Sequence, residues 1–125
     1  MKDELLKGKT PAQRKEYPVG TGFLDYFPQA TAEVANVSFV GNAQHNGPNT
    51  PLKWDRTKST DESDAMMRHF LQRGTIDTDG VRHSAKLAWR AMAFLEKELE
   101  TVNESTSADS NQSENREASS PRLRK

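Results

Sequence analysis

Apolar residues recur at helical spacing in three parts of the chain, with polar stretches between them. The clearest stripe is Val81, Ala85, Ala88, Met92, Leu95 and Leu99, which predicts a long helix over 81–101. A second helix is predicted over about 59–73. There Ser59-Thr60-Asp61-Glu62 has the form of a capping box, with Ser59 as the cap and Glu62 three residues on. Its acidic first turn suits the helix dipole, and Gly74 ends it. An earlier helix starts at Pro28, a favoured first helical residue, and reaches about Gln44, with Val34 and Val37 one turn apart. The β-formers Val37, Phe39 and Val40 leave a short strand as the other reading of that stretch. Residues 75–80 form a turn. His45–Lys58 is a polar loop rich in Asn, Gly and Pro, and a loop this long in a small domain is often functional.

The ends of the chain read differently. Residues 1–26 carry charges, Pro18, Gly20 and Gly22, and predict an irregular arm. Tyr17, Phe23, Leu24, Tyr26 and Phe27 are expected to anchor that arm on the helical body. From Asn103 onward almost nothing is apolar, so residues 102–125 are expected to be a disordered tail that cannot offset its ordering entropy. The expectation is an all-α fold: a small helical bundle over 27–101, with no internal repeat, completed by other subunits. Composition supports the last point. Apolar residues make up only 33% of the chain, and a foldable part of roughly a hundred residues gains from burial in an oligomer.

Eighteen basic and 18 acidic residues cancel, so no global electrostatic case exists for nucleic acid. The absence of cysteine excludes disulfides and thiolate metal sites. The apolar runs are too short to span a bilayer, and no signal peptide is visible, so a cytoplasmic protein is expected.

Asp61 and Asp64, three residues apart on one predicted helix, share a face, and Arg68 extends it by a turn. Glu33 lies on the preceding helix with Asn36 one turn later. Two antiparallel helices can bring these four across one groove, where carboxylates would suit Mg²⁺ or Mn²⁺. The same spacing also fits a capped helix start and a surface Asp64–Arg68 pair. His83, Lys86 and Arg90 form a basic stripe away from the apolar one. It reads either as a phosphate-binding face or as a solvated one. His69 is either a satisfied buried histidine or a group near phosphate. Trp54 either stacks on a base or plugs its loop, and Asp79, in an Asp-Gly pair, is first of all a turn residue.

These pieces resemble the all-α nucleoside triphosphate pyrophosphohydrolases of the MazG/HisE type, which carry E-x-x-E on one helix and E-x-x-D on a later one. Glu33-x-x-Asn36 and Asp61-x-x-Asp64 match that layout, Asp64 being followed by Ala65-Met66-Met67. Asn36 departs from it, putting one metal contact in question. The chain more closely resembles a phage subgroup, the MazZ-like dATP/dGTP diphosphohydrolases of phages with 2-aminoadenine DNA. The stretches that carry this are 22–28, Glu33-Val34-Ala35, 41–46, 52–61, Arg68-His69 and 79–86, spread over about residues 15–100.

The resemblance implies hydrolysis of dGTP and dATP between the α and β phosphates, giving the monophosphate and pyrophosphate, in a dimer or tetramer. It implies Glu33, Asp61 and Asp64 as metal ligands, with Asn36 as a helper, and one of the carboxylates as a proton acceptor. Arg68, His69, His83, Lys86 and Arg90 would face phosphates. Asn42, His45, Lys53 and Trp54 would face the nucleoside, with Asp79 a weaker candidate. Two rivals remain open: a non-enzymatic helical adaptor that binds through its tail, and a pyrimidine-specific enzyme of the same superfamily. A histidine–aspartate phosphohydrolase is disfavoured, because none of His45, His69 and His83 is followed by Asp.

Overall fold

A computed structural model describes residues 5–108 of the chain, and the side chains of 5–103. Four α-helices are present: α1 (Pro11–Arg14), α2 (Pro28–Asn46), α3 (Glu62–Leu71) and α4 (His83–Ala108), with a π-helical turn at Gly20–Leu24. Among the described residues the remaining regular structure is one antiparallel bridge, Ile76 to Arg82. The all-α expectation holds, and Val37, Phe39 and Val40 lie inside α2, not in a strand.

The chain forms two compact units, divided after Asp55. In the first, the arm is more ordered than expected. Thr10 caps α1 with a complete capping box through Gln13, and Pro11 opens the helix. The aromatic residues expected to anchor the arm remain exposed, Tyr26 most of all at 71%. They pack on one another instead: Phe23 and Tyr26 each meet Phe27 edge-on, at centroid distances of 5.6 and 5.9 Å. Pro28 starts α2, where its missing N–H costs nothing, and Gly47 ends it at φ +94°, a conformation that favours glycine.

In the second unit α3 packs on α4. The expected capping box at its start is absent. Asp61 occupies the cap position, and no side chain caps the helix, because Glu62 turns inward and Ser59 bonds elsewhere. Gly74 and Gly80, at φ +86° and +83°, turn the chain from α3 into α4. α4 starts at His83, two residues later than expected, because the Ile76–Arg82 bridge and the His83 N–H to Thr75 O bond hold the preceding segment extended. It continues past the expected end at Thr101 to Ala108. Propagating a formed helix adds one backbone bond per residue, which polar composition alone does not prevent. The remainder of the expected tail lies outside the described residues.

The apolar core is small: Ala65, Val81, Ala85 and Ala93 are its buried members. Full burial of a Leu-sized side chain contributes roughly 1.5–3 kcal/mol, and among the described residues none that large is fully buried. The α3–α4 pair therefore leans on polar contacts. The expected stripe on α4 is split. Val81 and Ala85 are buried, whereas Met92, Leu95 and Leu99 stand 47–51% exposed. The face that meets α3 and the turn after it instead carries His83, Lys86, Arg90, Ala93 and Lys97.

Candidate functional site

The acidic residues open α3. Asp61, at the cap, accepts hydrogen bonds from Arg68 Nη2 and Ser59 Oγ, each at 3.1 Å. The Arg68 bond, then the Ser59 bond, holds its carboxyl below the usual range. Arg68 thus pairs with Asp61, not with Asp64. Asp64 is exposed and makes no hydrogen bond or ion pair among the described residues. Between them Glu62 is 5% exposed and accepts from Arg90 Nη1 and Lys97 Nζ, both at 2.8 Å. Burial pushes the Glu62 carboxyl up, but the bonds from Lys97 and Arg90 outweigh that and leave it lowered. Ser59 completes the group: its Oγ accepts from Arg90 and its carbonyl from Lys97, each at 2.7 Å.

The basic stripe expected to stand apart from the core is part of the packed face. Lys86 Nζ donates to Asp77 Oδ2 and Asp79 Oδ2, both at 2.7 Å, with all three side chains largely buried. One lysine against two aspartates leaves that group with a formal charge of −1, so it attracts no phosphate while those bonds stand. The hydrogen bond from Lys86, helped by the Thr78 N–H, pulls Asp77 down to about 2. The turn supplies these acids by its own geometry: Asp77 N–H donates to Val81 O, Gly80 N–H to Asp77 O, and Val81 N–H to Asp79 Oδ1.

His83 is buried beside this cluster, with Nδ1 at 2.9 Å from Nδ1 of His69 and Nε2 at 3.9 Å from Asp77 Oδ1. Two ring nitrogens at that distance cannot both carry hydrogen, so the pair shares one proton along the contact. Burial, then the nearby positive charge of His83, Lys86 and Arg90, holds His69 below its ordinary value of 6.5. The unfolded chain therefore binds a proton more readily than the folded one. The stability His69 contributes is complete above pH 6.5 and falls as the pH drops below it. Melting temperature should decline between pH 8 and pH 5, and His69→Gln should flatten that slope. An unchanged slope in the variant would assign the effect to other groups. Asp77 adds a separate loss at lower pH, as the medium passes from 3.8 toward 2.

In the first unit Glu33 and Asn36 are exposed on α2 and, like the His45 and Lys53 side chains, make no side-chain hydrogen bond or ion pair among the described residues. Trp54 is half-buried in the loop after α2. Asn42 is buried at 8% exposure and bonded on every side. Its Nδ2 donates to Thr50 O and Thr50 Oγ1, both at 3.1 Å, and its Oδ1 accepts from Asn46 Nδ2 at 2.7 Å and Lys53 N–H at 3.3 Å.

Of the expected constellation, then, α3 joins Asp61 to Arg68 and leaves Asp64 exposed in its first turn, and α4 adds Lys86 and Arg90 to ion pairs. Among the described residues no three His, Cys, Asp or Glu side chains gather into a group that could hold a metal ion. Sequence reasoning missed Glu62 and Asp77 as the acids that neutralise the basic stripe. It also missed Lys97, and Arg56, which grips Glu100 with two bonds of 3.0 and 2.6 Å. Glu62 reads as a capping residue because its true partners lie 28 and 35 residues away.

Comparison with curated proteins and with solved structures returned no match. One family profile does match, described as dATP/dGTP diphosphohydrolase, N-terminal, over residues 8–107. That span contains α1, the π-helical turn, α2 and α3, all of α4 but its last residue, and all the candidate residues. The chain belongs to the dATP/dGTP diphosphohydrolase family, and is a hydrolase of nucleoside triphosphates.

Proposed function

We propose that the protein cleaves dGTP and dATP to the monophosphate and pyrophosphate. The family match over residues 8–107 carries this reading. In a cell making 2-aminoadenine DNA, as in the phages whose enzymes it resembles, dGMP would be a precursor and dATP a competitor to be removed. The host cytoplasm is the matching location, and no helix among the described residues is long and apolar enough to cross a membrane. The adaptor alternative falls with membership of an enzyme family.

In this reading Asp61, Asp64 and Glu33 hold Mg²⁺ or Mn²⁺, with Asn36 as a helper. The donor chemistry fits: all are hard oxygen ligands, and Asp64 and Glu33 carry exposed carboxylates with no partner among the described residues. Two carboxylates on α3 do not complete a ligand set by themselves, so at least one further donor must come from beyond that helix. Bound there, such an ion supplies positive charge against the triphosphate and lowers the pKa of a bound water. Arg68, exposed and among the described residues paired with Asp61 alone, is the side chain best able to exchange its partner for phosphate. His69, His83, Lys86 and Arg90 would act on the phosphates only by giving up their present contacts. On the nucleoside side, His45, Lys53 and Trp54 remain candidates. The test is incubation with dGTP, dATP, dCTP and dTTP in Mn²⁺, with products resolved by ion-exchange chromatography. Purine monophosphate and pyrophosphate are expected. Nucleoside plus triphosphate, or turnover of pyrimidines alone, would overturn the reading.

The reading includes a homo-oligomer, a dimer or tetramer. Met92, Leu95, Leu99 and Val102 are spaced by three, four and three residues along α4, and each is about half exposed. This is the spacing of a helix–helix seam, and a second copy of α4 is its natural cover. Leu95→Glu combined with Leu99→Glu should lower the assembly mass measured by light scattering by at least one half. An unchanged mass would place the contact elsewhere.

A further inference from the structure

The geometry points to Asn42 as a positioning residue that sets the loop bearing Lys53 and Trp54, not as a contact to the nucleotide. This rests on the reading above, in which that loop meets the nucleoside. An asparagine amide offers two hydrogens and two principal lone pairs. Asn42 uses all four within the protein: the hydrogens on Thr50 O and Oγ1, the lone pairs on Asn46 Nδ2 and Lys53 N–H. The orientation of the amide is settled by chemistry, because the Thr50 carbonyl can only accept and the Lys53 N–H can only donate. Nothing remains for a substrate.

What these bonds achieve is a clamp across eleven residues. Asn42 sits in the last turns of α2, and Thr50 and Lys53 lie eight and eleven residues on. Thr50 Oγ1 passes the constraint back by donating to Gly47 O at 2.7 Å, so the turn after α2 closes on itself. Most of the loop before Trp54 is exposed: Asn49, Pro51, Leu52 and Lys53 face solvent, and Asn49 holds φ +65°. Such a segment would sample many conformations if untied, and each would have to be lost on binding. Anchoring the backbone of Lys53 fixes the root of its side chain and the start of Trp54. The clamp thus orders the loop before the nucleotide arrives, and its loss should fall on affinity more than on turnover.

Three variants test this: Asn42→Ala, which removes the clamp, Thr50→Val, which removes only the hydroxyl, and Thr50→Ser, which keeps it. Hydrogen exchange of the 47–54 amides is measured without nucleotide. dGTP affinity, KM and kcat are measured with Mn²⁺. Asn42→Ala should raise loop exchange and weaken dGTP binding about tenfold, with kcat within about twofold of wild type. Thr50→Val should move both in the same direction by less, and Thr50→Ser should restore them. If Asn42→Ala does not fold, judged by circular dichroism, the two Thr50 variants carry the decision. Unchanged loop exchange overturns the clamp. Raised exchange with unchanged KM and affinity, or a loss confined to kcat, overturns its link to the nucleotide. Failure of the wild-type protein to bind dGTP overturns both that link and the proposed activity, while the exchange data still decide the clamp.

Discussion

Asp64→Asn is expected to abolish pyrophosphate release from dGTP while leaving the helical circular dichroism and the melting temperature unchanged. The two halves of this result have different causes. Asp64 is exposed and without partners among the described residues, so only the small effect of its charge on the helix dipole is lost. Surface substitutions of that kind usually move stability by less than about 0.5 kcal/mol. An uncompensated carboxylate in the first turn of α3, three residues from a second one, is on the other hand what a divalent cation would neutralise. Replacing the charged oxygen by an amide should lower kcat on the order of a hundredfold or more. The change is read by pyrophosphate release at saturating Mn²⁺. Turnover at the wild-type rate would remove Asp64 from the site. A large drop in melting temperature would instead make it structural.

Glu62→Ala, two residues earlier on the same helix, should do the opposite. Glu62 is buried and is shared by Arg90 and Lys97. Its removal leaves two cations beside a core of small side chains. Breaking a fully buried ion pair from one side costs roughly 3–5 kcal/mol. Arg90 and Lys97 are 28% and 26% exposed, so water recovers part of that, and a loss of about 2–3 kcal/mol is expected. The measurement is the urea midpoint at fixed m-value. A second arm separates charge from packing. If the cost comes from stranded cations, adding Arg90→Met and Lys97→Met to Glu62→Ala should recover much of the loss. Additive losses would show instead that each side chain acts independently.

The contrast between these neighbours explains how much of the protein is legible from residue order. Pro28, Gly74 and the 81–101 periodicity located α2, α3 and the start of α4 to within a few residues, since those signals act over one or two turns of backbone, whereas the end of α4 was missed by seven residues. The same reasoning put Asp61 and Asp64 at the start of α3, where Asp61 takes the cap position and Asp64 the first turn. It could not tell that Asp61 would turn to Arg68, or that Glu62 would abandon a capping box for the interior. A capping box and a buried acid look alike in sequence, and the choice depends on whether cations approach from another helix.

Periodicity likewise says which residues share a face, not what that face meets. His83, Lys86 and Arg90 read as an outward stripe, since charge usually prefers water. They turned inward because Asp77, Asp79, Glu62 and His69 supply partners across the packed interface, and paired charges can be buried where single ones cannot. The opposite face, Met92 to Leu99, was left exposed by the same rotation of α4. Sequence alone thus determined the helical class, the order of the elements, the family and the acids at the head of α3. Tertiary structure alone decided which face of α4 is buried, and which acid is paired in the interior and which stays exposed. The reason is that those outcomes rest on contacts between groups up to 35 residues apart, which no local pattern encodes.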